Sequence, residues 1–253
     1  MNELQYHAVN LAEKPDLIDT ADQLCGKAWP EFMLHDTIVN KYWWRLYENF
    51  AQFQFVLVEK NGEKILAVGN SVPVQWSATP EQLPDNGLDW ILTEAFEPAS
   101  KTNRESLSLF ALQVVVNPEF QGYALSTKAI REMIGIARRN GCNALYAPVR
   151  PNHKHLYPLT PMNEYVRWKN DDGRPFDPWM RVHSKLGADT IKVCPESMRI
   201  PGTIADWEKW TGMHFPSSGE YIIPGALAPV KMDIKADLGL YIEPNVWMHH
   251  KVG

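Results

Sequence analysis

The sequence predicts a single α/β domain built around a mixed sheet, and three observations support that fold class. Residues 107–149 follow a β-α-β pattern, which requires two parallel strands. The turn Asn61-Gly62 separates two runs rich in β-branched residues, as in an antiparallel hairpin. Hydrophobic residues make up 45% and charged residues 22% of the 253-residue chain, without a repeat or a low-complexity linker, so we expect one packed core.

The elements before the centre of the chain are predicted from hydrophobic periodicity and turn residues. Helical spacing of apolar residues predicts two helices after a first strand, and the hairpin follows them. Prolines then mark an excursion from the sheet that carries one short helix. In order, the predicted elements are a strand at residues 4–11, helices at 16–28 and 37–50, strands at 54–60 and 64–75, and a helix near 88–96 within the excursion 77–104.

The β-α-β pattern begins with a buried strand at residues 107–116, whose alternation of apolar residues slips at Leu109-Phe110. A β-bulge produces such a slip, and so does burial of both strand faces; the sequence leaves both explanations open. The following helix, residues 123–140, has one apolar face, Arg138-Arg139 in its last turn and Gly141 as its stop signal. A strand at 143–149 completes the unit.

The connection between that strand and that helix is rich in small residues. Gly122, Ala124 and Ser126 would leave the first-turn N–H groups uncovered, and those donors together with the helix dipole suit a phosphate group. Small residues equally allow a helix to pack close to a strand. Spacing alone therefore favours neither phosphate binding nor close packing as the explanation of these small residues.

Val116, Pro118, Gln121, Gly122 and Ala124 resemble the acetyl-CoA-binding motif V-x-P-x-x-[QR]-G-x-[GA] of the GNAT superfamily of N-acetyltransferases. The later run HSKLGA is similar to the Y-x-K-x-G-F at the end of the last helix in this family. In topology the resemblance covers roughly residues 4–200. Ala124 replaces the usual second glycine and Ser126 occupies the third small position, and both residues still allow a phosphate to approach closely. Gln121 replaces the commoner arginine and is an accepted variant in the family.

The resemblance implies a GNAT-like central mixed sheet splayed open for acyl-CoA, with helices on both faces and a C-terminal extension, in one domain over residues 1–253. Acetyl-CoA, as co-substrate, would lie between the strands at 107–116 and 143–149, and no metal would be needed. The implied cofactor-binding residues are Leu112, Val114 and Val116 for the pantetheine arm, and Gln121, Gly122, Tyr123, Ala124, Leu125 and Ser126 for the pyrophosphate.

Catalysis in this family requires an acid for the departing CoA thiolate and a base for the acceptor nitrogen. Family members commonly carry a tyrosine acid four residues before the glycine of Y-x-K-x-G-F, and here that position is His183. His183 can donate a proton at neutral pH, or it is an ordinary surface residue of its helix. Tyr157 competes for the role, and the base is unidentified. His153 and His155 are spaced like metal ligands but lack an acidic or cysteine partner, so we expect a solvated loop.

Residues 157–178 form an insertion relative to the family, and their prolines, aromatic residues and charges have no regular period. A shaped loop is predicted, which either overhangs the acceptor side of the sheet or only elaborates the surface. For the acceptor pocket the resemblance implies Trp29, Phe32 and His35 between the first two helices, with Trp179 beside the insertion. These four aromatic residues could instead belong to the core.

The C-terminal part exceeds the family core and is expected to be built onto the same domain. Hydrophobic patterning there predicts a helix at residues 204–212 and strands at 190–194, 221–223, 230–234 and 240–242.

Composition excludes several classes of protein. The 25 Lys and Arg against 30 Asp and Glu give a formal charge of -5, so no basic field gathers nucleic acid. No run approaches about 18 apolar residues and the N-terminus lacks an apolar signal sequence, so we expect neither a membrane span nor export. Cys25, Cys142 and Cys194 lie far apart without a CxxC pair, which fits a reducing cytoplasm. The oligomeric state stays open, a homodimer included.

The sequence thus predicts an acyl-CoA-dependent N-acyltransferase that moves an acetyl group to a primary amine of a small molecule or peptide by direct attack. Two alternatives remain. One is a non-catalytic acyl-CoA-binding module with the same fold. The other is an α/β-hydrolase-like enzyme, against which stands the lack of a G-x-S-x-G elbow.

Overall fold

The protein is described by a computed structural model that covers residues 4–60, 64–99 and 106–252. The helices of these residues are α1 (Ile18–Gly26), α2 (Thr37–Asn49), α3 (Gly87–Phe96), α4 (Leu125–Arg139), α5 (Met162–Tyr165), α6 (Pro178–Lys185) and α7 (Ile204–Thr211). The strands are β1 (Tyr6–Asn10), β2 (Gln54–Glu59), β3 (Ile65–Gln75), β4 (Leu107–Val116), β5 (Ala144–Val149), β6 (Asp189–Gly202), β7 (Gly219–Tyr221), β8 (Val230–Asp233) and β9 (Leu238–Lys251).

The strands form one mixed sheet in the order β1-β2-β3-β4-β5-β9-β8-β7, with β6 paired to β9. Neighbours pair antiparallel from β1 to β4, β4 and β5 pair parallel, and β5 pairs antiparallel with β9. The hairpin is confirmed in its strands, whereas its predicted turn Asn61-Gly62 lies outside the described residues. The predicted mixed α/β fold class is confirmed.

Helices cover both faces of the sheet. Successive residues of a strand point to opposite faces, so neighbouring residues pack against different helices. Leu109 of β4 lies in the same buried cluster as Met133 of α4. The next residue, Phe110, belongs to the cluster that contains Leu46 of α2 and Ile91 of α3. The core is therefore split into two layers by the sheet, with α4 on one side and α2 and α3 on the other.

In strand β4, burial of both faces and a β-bulge are both present, and both disturb the alternation of apolar residues. Residues 108–111 are all buried, so this part of the strand is covered on both faces. A β-bulge is also present, but at Leu112 rather than at Leu109-Phe110. Asn70 of β3 pairs with Gln113 and Ser71 pairs with Ala111, which leaves Leu112 without a partner in β3. Double-sided burial hides the alternation before the bulge, which is why the sequence places the slip too early.

Strands β6 and β9 correct the predictions for the C-terminal part. Both are 14 residues long, whereas the sequence predicts strands at residues 190–194 and 240–242. Proline in a sequence argues against a continuous strand because it lacks an N–H donor. Pro244 of β9, however, lies where the pairing with β6 shifts register and has no partner in β6. The strand therefore continues through this proline, at a point where β6 offers it no ladder partner.

Two smaller differences concern helices. α4 begins at Leu125 rather than at residue 123, because Ala124 has a left-handed backbone with φ 55° and cannot be part of the helix. The segment 157–178, predicted to have no regular structure, contains the single turn α5. No helix in the described parts of the chain combines the length and the apolar character needed to cross a bilayer.

Candidate active site

A cavity of about 630 Å³ lies between β4 and β5. The two strands pair at Leu109 with Leu145 and at Phe110 with Tyr146, and no further pair joins them although both strands are described in full. Beyond these pairs the strands line opposite walls of the cavity. Residues 111–116 form the β4 wall, and the other wall contains Ala147, Pro148, Val149, Arg150 and Asn152. The sheet is therefore splayed open at the predicted position.

The β4 wall carries the residues predicted to bind the pantetheine arm, namely Leu112, Val114 and Val116. Since β5 does not pair with β4 here, one edge of the strand presents unpaired backbone N–H and C=O groups. Leu112, the bulge residue, has a ladder partner in neither β3 nor β5. An edge of this kind can hydrogen-bond an extended molecule that carries amide groups.

The start of α4 is open to a ligand. Gln121, Gly122, Tyr123 and Ala124 are exposed, and Gln121 and Ser126 line the cavity. Ala124 is the N-cap but provides no side-chain acceptor, so the first-turn N–H groups stay available to an anion. Gly122 has φ 88°, and a Cβ added there would meet no atom within 4 Å. The glycine is thus required by the turn and not by close packing, which favours the phosphate explanation.

A buried ion pair lies on the wall formed by β5 and β9. Arg150 Nε is 3.0 Å from both carboxylate oxygens of Glu243, and Arg150 Nη2 donates to the carbonyl oxygen of Gly225 at 2.6 Å. Glu243 is fully buried and also accepts hydrogen bonds from the Tyr241 hydroxyl at 3.0 Å and the Asn245 amide at 3.2 Å. Its charge is compensated within the protein, so this pair is a rigid part of the wall.

A chain of amide side chains supports the β4 wall. Trp29 Nε1 donates to Gln113 Oε1 at 3.0 Å, Gln113 Nε2 donates to Asn70 Oδ1 at 2.8 Å, and Asn70 Nδ2 donates to Gln54 Oε1 at 3.0 Å. Three adjacent strands and the segment after α1 are joined in this way. Sequence reasoning missed this chain. Its signal was one buried amide residue, Gln54, Asn70 or Gln113, in each of three largely apolar strands.

Helices α1 and α2 line the cavity from the face of the sheet opposite α4, with Asp22, Cys25, Asn40 and Trp43. Burial raises the pKa of the Cys25 thiol to about 12, so it is a neutral thiol and a poor nucleophile at physiological pH. Burial likewise raises the pKa of Asp22, against a hydrogen bond from the Trp43 side chain that lowers it. Sequence reasoning did not single out Asp22.

His183 lines the cavity from α6, where it is 1% exposed. Its Nδ1 lies 2.9 Å from Nε2 of His250 on β9. Burial, assisted by His250, lowers the pKa of His183 to about 3, and the imidazole is therefore neutral at physiological pH. Its Nε2 is buried without a hydrogen-bond partner among the described residues. The predicted surface position is wrong, and the predicted role in acid catalysis stays a prediction.

Tyr157 does not line this cavity. It packs in a cluster of rings with Tyr165, Trp168 and Phe176, at centroid distances of 4.9 to 6.0 Å, and remains 36% exposed. This ring cluster makes the insertion a packed unit. Asp177 anchors it, since it accepts a hydrogen bond from the Tyr165 hydroxyl at 2.9 Å and caps α6.

His153 and His155 lie in the turn before the insertion. His155 Nδ1 is 2.8 Å from the carbonyl oxygen of Asn152, and the His153 ring packs edge-on against Phe176. Among the described residues, no group of three or more His, Cys, Asp or Glu side chains could hold a metal ion.

Two of the four residues predicted for the acceptor pocket, Trp29 and Trp179, line the cavity. Phe32 is 2% exposed and packs edge-on against Tyr241 in the core. His35 stacks on Trp210 at a centroid distance of 4.2 Å and is not in the cavity lining. Of the four predicted residues, the cavity thus receives Trp29 from the connection after α1 and Trp179 from α6, and Trp43 of α2 lines it as well.

Comparison with family models matches residues 15–159 to the acetyltransferase (GNAT) family. A curated relative, the arginine N-acetyltransferase avaD of Aspergillus versicolor, is 32% identical over 275 residues, which cover 98% of this chain and 94% of the relative.

Two solved structures share the fold at low sequence identity. The loading GNATL domain of CurA from Lyngbya majuscula is 20% identical, with a TM-score of 0.60 over 98% of both chains. The GphF GNAT-like decarboxylase in complex with isobutyryl-CoA is 14% identical, with a TM-score of 0.56 over 98% of this chain and 100% of that one. These two similarities bear on the fold alone.

Proposed function

The chain belongs to the GNAT family of acetyltransferases, and we propose that it transfers the acetyl group of acetyl-CoA to a nitrogen of a cationic small molecule, with arginine as the first candidate. The observation that carries the proposal is the cavity in the sheet opening. It is lined by Gln121 and Ser126 on the face covered by α4, and by Asp22 and Trp43 on the face covered by α1 and α2. A cofactor and an acceptor that enter from opposite faces would therefore meet inside the sheet opening.

The cofactor half of the cavity fits the shape and charge of acetyl-CoA. The exposed turn before α4 offers backbone donors to a pyrophosphate, and the unpaired edge of β4 offers a ladder to the amide groups of pantetheine. When bound, acetyl-CoA supplies the acetyl group as an activated thioester. Leu112 has no ladder partner in β3 or β5, and we expect its backbone N–H to donate to the thioester carbonyl oxygen, where negative charge develops during attack.

The reaction balances without a redox partner. The acceptor nitrogen forms a C–N bond to the acetyl carbonyl carbon, the C–S bond breaks, and in net terms one proton passes from the nitrogen to the thiolate. His183 and Tyr157 are the candidates to handle that proton. His183 lines the cavity but is neutral, and Tyr157 lies outside the cavity lining. His183 is therefore the first of the two to test.

The choice of arginine rests on the curated relative, which is named as an arginine N-acetyltransferase and aligns over nearly the whole of both chains. The cavity is compatible with such an acceptor. Trp29 and Trp179 supply aromatic walls against which a planar guanidinium or an aliphatic chain can pack.

The test uses the purified full chain with acetyl-CoA and arginine. We expect free CoA to appear only when both substrates are present, and mass spectrometry should detect acetylated arginine. Acetyl-CoA alone should raise the melting temperature, whereas NAD and ATP should not, because a ligand that binds the native state stabilises it by mass action.

The three possible negative results of these measurements lead to different conclusions. Stabilisation by acetyl-CoA without CoA release from any amine would contradict the enzymatic proposal and support a non-catalytic acyl-CoA-binding module. CoA release with agmatine or lysine but not with arginine would keep the activity and overturn the choice of acceptor. No stabilisation at millimolar acetyl-CoA would contradict the cofactor assignment.

A further inference from the structure

Asp22 of α1 is a partly buried carboxylate that lines the cavity from the side of α1 and α2, without a positive partner among the described residues. None of the ion pairs formed by the described residues involves it. Carboxylates withdrawn from water are normally paired with a cation, because an uncompensated charge in a poorly solvated site is costly. A missing cation is therefore expected at this position when the site is filled.

The charged side chains that line the cavity also indicate a positively charged ligand. Among the described residues that line it, the side chains with a formal charge are Asp22, Arg150 and Glu243. Arg150 and Glu243 neutralise each other through contacts of 3.0 Å. One negative charge, that of Asp22, is left over. A cavity with this balance attracts a positively charged guest.

The surroundings of Asp22 select the kind of cation. The Trp43 side chain interacts with the carboxylate, whose pKa it lowers against the effect of burial, and Trp43 and Asn40 of α2 both line the cavity. An indole ring next to a carboxylate favours a flat, delocalised cation, which can pack on the ring and donate two parallel hydrogen bonds to the oxygens. Guanidinium has that geometry, and ammonium has not. The chain already uses such a pairing, with the Arg150 guanidinium 5.8 Å from the centre of the Trp29 ring.

We propose that Asp22 is the counter-ion for the guanidinium group of the acceptor, in a subsite between α1 and α2 bounded by Trp43 and Asn40. This inference rests on the proposed function, because it assigns a place to the acceptor within the same cavity. Asp22 would hold the acceptor on the side of α1 and α2 and would leave the binding of acetyl-CoA to the side of α4.

The test measures binding, so that it does not depend on turnover. Isothermal titration of the full chain with arginine and with citrulline compares a guanidinium with a neutral ureido group of the same shape. We expect the wild type to prefer arginine by at least about tenfold, and Asp22→Asn to lose that preference while citrulline binds as before. The matched control is Asp19→Asn, which removes the same charge one turn earlier on α1 from an exposed side chain. It should change arginine affinity less than about twofold.

A wild type that binds arginine and citrulline equally would overturn the inference, as would an Asp22→Asn variant that keeps full preference for arginine. If Asp22→Asn does not fold, the salt dependence of the wild type decides, because added salt should weaken arginine binding and spare citrulline binding if a charge pair forms. Acetyl transfer by the wild type is measured separately. Loss of the guanidinium subsite with transfer intact would leave the proposed activity standing.

Discussion

At the scale of single residues, burial decides what His183 can do. The imidazole meets His250 at 2.9 Å in a place that water does not reach, and two buried imidazoles disfavour an added proton. Burial lowers the pKa of His183 to about 3 and that of His250 to about 4. A protonated histidine acid is therefore absent at neutral pH. Nε2 of His183 is buried and has no hydrogen-bond partner among the described residues.

This protonation state gives a prediction for the pH dependence of kcat. Between pH 5 and pH 8 the wild type should show no limb that belongs to a histidine, because His183 stays neutral throughout that range. His183→Gln should change the level of kcat but not the shape of its pH profile. Tyr157→Phe serves as the comparison and should stay near the wild-type rate, since Tyr157 does not line the cavity. A limb near pH 6 to 7 that disappears in His183→Gln would instead establish a protonated histidine acid.

At the scale of elements, the junction between β4 and α4 joins two ligand-binding features. The strand ends at Val116 with an unpaired edge, and the helix begins at Leu125 after two residues with left-handed backbone, Gly122 and Ala124. Ala124 is not glycine, so its conformation carries some strain that the surrounding turn maintains. As a result, no side chain caps the start of α4, and the N–H groups of its first turn remain available to a ligand.

Ala124→Asp tests this junction, because a carboxylate there would both repel a phosphate and occupy the first-turn donors as an N-cap. We expect the KM for acetyl-CoA to rise at least about tenfold, or ~1.4 kcal/mol, with an unchanged circular dichroism spectrum. Ala124→Gly is the control, since glycine relieves the positive φ without adding charge, and its KM for acetyl-CoA should stay near the wild-type value. Equal KM values for Ala124→Asp and the wild type would place the phosphates elsewhere.

At the scale of the whole molecule, one carboxyl pair ties together distant parts of the chain. Asp36 is fully buried and caps α2 through the N–H groups of Ile38 and Val39, at 2.9 and 2.8 Å. Its carboxyl lies beside that of Asp89 in α3, and Asp89 accepts from the Arg199 N–H of β6 at 3.1 Å. Asp36 Oδ2 and Asp89 Oδ1 are buried without a donor among the described residues. Burial, together with repulsion from Asp36, raises the pKa of Asp89 to about 8. We therefore expect the two groups to share one proton where α2, α3 and β6 meet.

The sharing has a predictable effect on stability. Asp89 has a higher pKa in the folded chain than in the unfolded chain, so its contribution is complete below about pH 4 and is lost as the pH rises towards 8. Asp89→Asn keeps a donor for Asp36 without a titrating group. Its melting temperature should therefore exceed that of the wild type by an amount that grows between pH 5 and pH 8, by several degrees if ~1 to 2 kcal/mol is involved.

Asp85→Asn is the matched control, because Asp85 carries the same charge in an exposed pair with Lys192. Its melting temperature should follow that of the wild type across the same range. A constant difference between Asp89→Asn and the wild type at every pH would contradict the shared proton. Calorimetric unfolding of the wild type also tests the expectation of one domain over residues 1–253, because one domain should unfold in a single cooperative transition.

The sequence by itself determined those features that a short continuous segment encodes. The apolar period of α4, the strand at residues 107–116 and the small residues at its junction with the helix are contiguous, and local geometry follows from local residue types. The motif from Val116 to Ala124 was therefore enough to identify the family before any contact was known. The hairpin and the parallel β-α-β unit were predictable for the same reason.

Only the tertiary structure decided the chemistry of the site. The charge state of His183 depends on a residue 67 positions away, and the position of Trp29 depends on Gln113, 84 positions away. The length of β9 could not be predicted from the sequence either. Pro244 weakens the local strand pattern, and the strand can contain this proline only because β6 does not pair with it there. Burial, pKa and unpaired charge are properties of surroundings that distant segments build together, and no local pattern specifies them.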